Sequence, residues 1–129
     1  MSSIISHKMD EHRRLCIKKD LNELHTWMAA IEAFNSELEQ MSLIEKKLIK
    51  NTSVSNTILA IRRNNVLIMA NLCKYEQELK TEYEYGKVKY DLNRLKIHEQ
   101  RRANYLKLVT DCNSFRNQFY TIISRYQRK

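Results

Sequence analysis

His12 and Cys16 are the two side chains whose types and spacing suit metal binding. They stand four residues apart, so a helix places both on one face, where they could fill two positions around a zinc ion. A structural zinc site takes four ligands, and no other Cys or His pair in the sequence has ligand spacing. We therefore predict no metal site, and no motif indicates a cofactor.

His98, followed by Arg101 and Arg102, has the residue types of an acid–base site. These three residues fall where the helical pattern calls for apolar side chains, so we expect a hydrated gap between two packing blocks instead. Catalysis needs a cleft in which several groups converge, and a thin helical hairpin offers none. The prediction is a protein that is not an enzyme.

Tyrosine and positive charge occur together in the second half of the chain. All seven tyrosines follow residue 74, and residues 87 to 129 hold eleven Lys or Arg against three Asp or Glu. Nucleic-acid bases stack on aromatic rings between cationic side chains, so a basic helical nucleic-acid-binding module is the alternative function. Four of the tyrosines fall in the apolar seams described below, which favours a core role for them: Tyr75, Tyr85, Tyr105 and Tyr126.

The cysteines and the chain start predict an intracellular protein. Three cysteines without CxxC spacing do not suggest a disulfide framework, and the first residues lack the apolar core of a signal peptide. No apolar run approaches the roughly 18 residues that a membrane span requires. We expect a cytoplasmic protein with no membrane partner, and these features do not distinguish cytoplasm from nucleus.

Composition predicts an all-α fold. One Gly and no Pro among 129 residues leave almost no turn formers for a sheet protein, and 43% hydrophobic residues are too many for a disordered chain. Within the single domain of residues 1–129, the polar cluster that begins at Asn51 is the one clear break. We predict a helix over residues 7–50, a turn at 51–53 and a long helix over 54–127.

The first helix carries an apolar seam with coiled-coil spacing. Ile17, Leu21 and Leu24 begin steps that alternate between four and three residues. Asn35 interrupts this seam and Asn65 interrupts its counterpart in the second helix. A polar residue at a core position trades stability for alignment, so we predict that the two asparagines set the register of an antiparallel hairpin.

The last third of the chain has the most regular seam and no obvious intramolecular mate. A 44-residue first helix reaches only to about residue 97 of a continuous second helix, because Gly86 alone does not reverse a helix. The seam beyond it would then be exposed and ready for a partner. The predicted partner-binding residues are Tyr105, Leu108, Cys112, Phe115, Phe119, Ile122 and Tyr126. A three-helix bundle, in which this segment folds back, is the alternative architecture.

Charge is segregated along the chain. Residues 20–45 hold six acids and no Lys or Arg, and a basic patch follows Gly86. In the hairpin these two blocks do not face one another, so we expect them to act between molecules. The patch consists of Lys87, Lys89, Arg94, Lys96, Arg101 and Arg102.

These patterns resemble those of the small coiled-coil subunits of cytoskeletal assemblies, such as centrosomes, spindles, kinetochores and cilia. The resemblance is one of composition and periodicity and includes no family motif. It implies a structural subunit or adaptor that binds other coiled-coil chains, or itself, through its C-terminal helix. An acidic surface such as that of tubulin is a further expected partner, since the C-terminal third is basic.

Overall fold

A computed structural model describes residues 2–86 and 89–127 of the chain as three α-helices. Helix α1 spans Ser2–Ile44 and continues into a π-helical turn, Glu45–Ile49. Helix α2 spans Thr52–Tyr85, and helix α3 spans Leu92–Gln127. The all-α prediction is confirmed, and the described residues include no strand.

The first connection is a tight turn at the predicted place. Lys50 adopts a left-handed conformation (φ 52°, ψ 47°), and its backbone N–H donates to the Glu45 carbonyl oxygen over 2.7 Å. The Asn51 side chain then caps α2 by accepting from the N–H groups of Ser53 and Val54, at 2.8 and 3.3 Å. The sequence placed the turn at residues 51–53, and the left-handed residue of the turn is Lys50, just before them.

The second connection corrects the prediction of a continuous helix over 54–127. Helix α2 ends at Tyr85, and Gly86 is extended (φ −70°, ψ 146°). A Cβ at this position would collide with the carboxylate and the backbone oxygen of Glu82, so the chain needs glycine here. Asp91 starts α3, because its carboxylate accepts from the Arg94 N–H over 3.0 Å. Lys87 and Val88, between these signals, lie outside the described residues.

The resulting architecture is the three-helix bundle, with α1 and α3 parallel to one another and α2 antiparallel to both. Asn35 pairs with Asn65 across α1 and α2, while Phe34 faces Arg116 across α1 and α3. Two buried rows with seven-residue spacing on α1 explain the arrangement, because a helix with two adjacent apolar stripes packs against two neighbours. These rows are Ile17, Leu24, Ile31 and Leu38, and Arg13, Asp20, Trp27, Phe34 and Met41.

The two asparagines lie in the seam between α1 and α2, as predicted, and their role in setting the register stays a prediction. Asn65 is 1% exposed, and its Nδ2 donates to Asn35 Oδ1 over 2.9 Å. Each amide lies in the seam of its own helix, so a shift of register would leave both without this partner.

Candidate functional site

The side chains best suited to chemistry form a polar layer inside the bundle, towards the connection between α2 and α3. His98 of α3 is 1% exposed and lies between the other two helices. Its Nδ1 is 2.7 Å from the hydroxyl oxygen of Tyr75 on α2, and its Nε2 is 2.7 Å from Oε1 of Glu23 on α1. The sequence predicted a hydrated gap at His98, and that prediction is wrong because all three helices converge on this ring.

Glu23 determines how the protons of this layer are arranged. Its carboxylate accepts two hydrogen bonds from the Arg102 guanidinium, at 2.8 and 2.6 Å. Hydrogen bonding from Arg102, together with that from His98, lowers the pKa of Glu23 to about 2. An ionised carboxylate only accepts hydrogen bonds, so Nε2 of His98 carries a hydrogen and donates a hydrogen bond to Glu23. In the neutral ring, Nδ1 then accepts from the Tyr75 hydroxyl.

Asp20 forms the second acidic corner of the layer. The Tyr90 hydroxyl donates to Asp20 Oδ2 over 2.5 Å, and Asp20 Oδ1 is 3.5 Å from His98 Nε2. Burial, and then the adjacent Asp20 carboxylate, raises the pKa of Tyr90, and the same two causes in the same order raise that of Tyr75. Both phenols are therefore donors at neutral pH.

Aromatic stacking fixes the position of the His98 ring. The indole of Trp27 stacks on His98, with centroids 5.1 Å apart and planes 23° apart. The Tyr105 ring also stacks on the Trp27 indole, with centroids 5.4 Å apart and planes 18° apart. Offset stacking of this kind adds to the burial of the rings, so the imidazole is held in one orientation.

The chain from Tyr75 through His98 to Glu23 can share protons; Glu23 is partly exposed, but a substrate has little access to the buried His98 ring. The nearest depression, lined in part by Asp20, Tyr75 and Tyr90, has a volume of about 70 Å³. Ligand pockets are commonly several hundred Å³, and this one is little more than the space of a few waters. The arrangement favours a structural role, in which the polar groups align α3 on the hairpin.

His12 and Cys16 lie on one face of α1, as their spacing predicts. His12 Nε2 is 3.6 Å from the sulfur of Cys16, as the spacing of four residues requires. Among residues 2–86 and 89–127, no group of three or more His, Cys, Asp or Glu is placed to hold a metal ion.

The predicted partner-binding stripe of α3 is core, which corrects the expectation of an exposed seam. Phe119 is fully buried, and Leu108, Cys112 and Phe115 are each less than 8% exposed. Tyr105, Ile122 and Tyr126 pack against the same core. The reversal between α2 and α3 brings the stripe onto α1 and α2, so the apolar surface of the stripe is covered within the molecule.

The predicted basic patch is divided between the fold and the surface. Arg94 pairs with Glu82 over 2.8 Å, Arg102 pairs with Glu23, and the Arg101 guanidinium lies 5.2 Å from the centre of the Tyr75 ring. Only Lys89 and Lys96 are exposed, while Lys87 lies outside the described residues. Half of the patch therefore stabilises the bundle.

The acidic segment 20–45 faces the basic α3, and the expectation that these blocks act between molecules is corrected for the acids that pair with α3. Besides the Glu23–Arg102 pair, Glu37 Oε1 accepts from Arg116 Nε over 2.6 Å. Because α1 and α3 are parallel, the residues that pair lie nearly eighty positions apart in sequence. The hairpin hypothesis did not bring such residues together.

Sequence reasoning missed a second seam on the outward face of α2. Starting at Leu59, positions that alternate in steps of four and three residues are all exposed. This spacing is the signal that could have revealed it, because it repeats the coiled-coil pattern of the buried seam on the opposite side. The seam consists of Leu59, Arg63, Val66, Ala70 and Cys73.

Comparison with known proteins adds no relative. Within the described part of the chain, no helix combines the length and apolar character that a membrane crossing requires. No protein-family model, curated protein or solved structure matches this chain.

Proposed function

We propose that this protein is a non-enzymatic structural subunit or adaptor that binds a helix of another protein chain through the outward seam of α2. The observation that carries the proposal is the exposed seam itself. Leu59 is 43% exposed and Val66 is 59% exposed, at two positions one heptad apart. A seam of this length, 15 residues or about 22 Å, matches four turns of a partner helix.

The composition around the seam supports the same proposal. Residues 64–73 include no charged side chain, and Leu67, on the solvent side of this run, is 66% exposed. The exposed side of this run holds Val66, Leu67 and Ala70 beside Asn64 and Asn71, whereas a surface helix usually carries charged and polar residues on its solvent face. In the isolated chain α1 and α3 cover only one side, so a partner helix accounts for the apolar residues on the other.

Charge indicates the chemistry of the partner. Arg63 interrupts the seam, and the segment between Leu59 and Cys73 has no acidic residue. A partner helix with apolar residues against Leu59 and Val66 and a Glu or Asp opposite Arg63 complements this face. Such a pairing sets the register of the complex, as charged positions do beside coiled-coil seams.

The non-enzymatic character and the cytoskeletal setting have different support. The near-complete burial of His98 leaves its acid–base groups out of reach of a substrate, which favours a structural protein. The cytoskeletal setting rests on composition and periodicity alone. Imaging of the tagged chain against centrosomal, ciliary and microtubule markers tests it, and a diffuse distribution would contradict it.

A nucleic-acid-binding role has less support in this fold. Tyr75 is buried, while Tyr90 and Tyr105 are engaged with Asp20 and Trp27, and such rings do not offer the free faces on which bases stack. Tyr85, which the sequence pattern placed in the core, is instead 78% exposed. Arg94 and Arg102 are likewise paired with carboxylates.

The exposed thiol of Cys73 allows a direct test. A photoreactive group attached to Cys73 in a Cys16→Ser background would lie at one end of the seam, since Cys112 is buried. On irradiation in cell extract, we expect it to cross-link one protein through a helical segment, identified by mass spectrometry. Val66→Glu, which puts a charge into the seam, should abolish the cross-link.

Leu106→Glu is the matched control. Leu106 is 53% exposed on α3, so the substitution adds the same charge at similar exposure outside the seam. It should leave the cross-link intact, and circular dichroism should show unchanged helix content for both variants. Equal cross-linking by the two variants would contradict the proposal, whereas a cross-link to a second copy would identify the partner as the chain itself.

A further inference from the structure

The end of the bundle that contains the first turn is strongly basic. Lys46, Lys47 and Lys50 are exposed in and beside this turn, and Arg125 is exposed in the last turn of α3. The Tyr126 hydroxyl donates to the Ile49 carbonyl oxygen over 3.3 Å, which brings Arg125 to the same end as the three lysines.

In the described part of the chain, these cations have few acidic residues near them in sequence. Glu45 is the only acid between residues 40 and 75, and none follows Asp111. Glu45 is 6% exposed and accepts from the Asn51 backbone N–H over 3.1 Å, so it serves the turn. Within the described residues, none of these four cations forms an ion pair. The contrast with α3 nearer its start, where Arg94 and Arg102 are paired, is clear.

Two leucines stand exposed beside these lysines. Leu43 is 50% exposed in the last turn of α1, and Leu48 is 47% exposed in the π-helical turn. The neighbouring Ile49 is buried, so the turn holds one apolar side chain in the core and leaves another in solvent. The basic end is therefore also apolar at its surface.

We propose that this basic end binds the surface of an anionic membrane. The lysines and Arg125 would lie at the phosphate and carboxylate groups of the lipids, while Leu43 and Leu48 enter the boundary between headgroups and acyl chains. Clusters of basic residues next to inserted apolar side chains are the combination that holds proteins at anionic bilayers.

The exposed leucines favour lipid over nucleic acid. An aliphatic side chain gains nothing beside a phosphate backbone, whereas it leaves water when it enters a bilayer. The tyrosine at this end, Tyr126, packs against the core and bonds to Ile49, so it does not offer a stacking face.

The size of this end favours lipid over a folded protein. Three helices of about 10 Å diameter present an end of only a few hundred Å². A standard protein interface takes roughly 800 Å² from each partner. A membrane contact needs only a few basic groups and one or two inserted side chains. Surface binding requires no spanning helix, and it departs from the sequence-based expectation of no membrane partner.

The test is co-sedimentation of the full chain with lipid vesicles at about 0.1 M salt. One set contains phosphatidylserine and phosphatidylcholine, and the other contains phosphatidylcholine alone. We expect binding to the anionic set only, weakening as salt increases. Each basic residue at such a surface is worth about a fivefold change in partitioning, so Lys46→Glu with Lys47→Glu should reduce binding by about twenty-five-fold or more.

The matched control is Lys18→Glu with Lys19→Glu. It is also an adjacent exposed lysine pair on α1 and changes the net charge equally, but it lies near the other end of the bundle. It should bind within about threefold of the unchanged chain, since it lies more than a Debye length from the membrane. Leu48→Ser should weaken vesicle binding several-fold and leave any binding to duplex DNA or RNA unchanged.

The competing outcomes are distinct. Equal loss in the two lysine variants would overturn the proposal, since net charge and not this end would then be responsible. So would equal binding to uncharged vesicles, or unchanged vesicle binding by Leu48→Ser. Binding to duplex DNA or RNA that depends on Lys46 and Lys47, without binding to vesicles, would assign this end to nucleic acid. Val66→Glu should bind vesicles normally, which separates this proposal from that for the α2 seam.

Discussion

The two halves of the bundle core differ in chemistry although the same three helices form both. Near the connection between α2 and α3, the core contains Arg13, Asp20 and His98, all less than 9% exposed. In the half nearer the first turn, the buried side chains are apolar apart from Glu45, which serves the turn, and they include two phenylalanines with centroids 5.9 Å apart. The apolar half consists of Leu38, Met41, Ile58, Phe115 and Phe119.

The two halves have different roles, since one stabilises the bundle and the other aligns its helices. Apolar side chains gain free energy by leaving water in any arrangement that packs well. Buried polar groups gain little net free energy, but they penalise every arrangement that leaves them unpaired. The apolar half therefore supplies most of the stability, and the polar half selects where α3 lies on the hairpin.

The largest expected effect is in the apolar half. Phe119→Ala removes a fully buried ring and should reduce the free energy of unfolding by about 3–5 kcal/mol, measured by urea unfolding. Tyr120→Ala, at a half-exposed neighbour, should change it by less than about 1 kcal/mol. Similar small changes in both would mean that α3 leaves the bundle in solution and that its stripe is available to partners.

The polar half should respond less to a comparable change. His98→Phe keeps a ring against Trp27 but leaves the Tyr75 hydroxyl buried without its partner, so we expect a loss of about 1–3 kcal/mol. His25 is the matched control, because it pairs with Glu76 over 2.6 Å while half of its side chain is exposed. His25→Phe should change stability by less than about 0.5 kcal/mol. Equal effects of the two would contradict a special role for the buried layer.

The asparagine pair lies between the two halves, and replacing it should raise the free energy of unfolding instead of lowering it. Replacing Asn35 and Asn65 together with Leu removes two amides from the seam, one of which has an oxygen buried without a partner in the described residues. We expect the free energy of unfolding to rise by about 1 kcal/mol, seen as a higher melting temperature. Asn64→Leu, at the exposed neighbour, should have almost no effect, and a loss of stability in the double variant would show that the pair is needed for folding.

The smallest expected effect is the loss of stability in acid that arises from protonation of Glu23. The pKa of Glu23 is about 2 in the folded chain, below its ordinary value of 4.5, so ionised Glu23 favours the folded state. This contribution is complete above about pH 4.5 and is lost as the pH falls towards 2. Part of the side chain is in solvent, which reduces the size of the effect.

The measurement is the difference in stability between the unchanged chain and Glu23→Gln as a function of pH. The difference should be largest near neutral pH and should shrink as the solution becomes acidic. Glu39→Gln is the control, because Glu39 is largely exposed and 3.9 Å from Arg62. A difference that stays constant across this pH range would contradict the coupling of Glu23 to Arg102 and His98.

Local signals explain which parts of the fold were predictable. The break after Lys50, the Asn35–Asn65 pair and the apolar seam of α1 each follow from residues close in sequence. The reversal at residues 86–91 was missed, although Gly86 ends α2 and Asp91 caps α3. Each signal is weak alone. The reversal is favoured because it buries the apolar stripe of α3, and no local sequence pattern shows this gain in free energy.

The candidate site shows the same division. His98 and Glu23 are 75 residues apart, and the parallel packing of α1 and α3 alone brings them within 2.7 Å. Sequence reasoning read the polar residues at the start of α3 as a gap, since it had no means of placing acids opposite them. Periodicity reports which face of a helix is buried, but it does not report which face meets it.

The helical class, the first turn and the register of α1 on α2 were predictable from the sequence alone. Composition, helix ends and heptad spacing act over a few residues, so they are readable in one dimension. The tertiary structure was needed to show that α3 folds back, that Glu23 and Glu37 of α1 pair with arginines of α3, and that an apolar seam remains exposed on α2. These outcomes depend on which distant helix faces pack together. Burial of apolar area stabilises any packing that excludes water, and polar groups such as Glu23 and His98 select one arrangement.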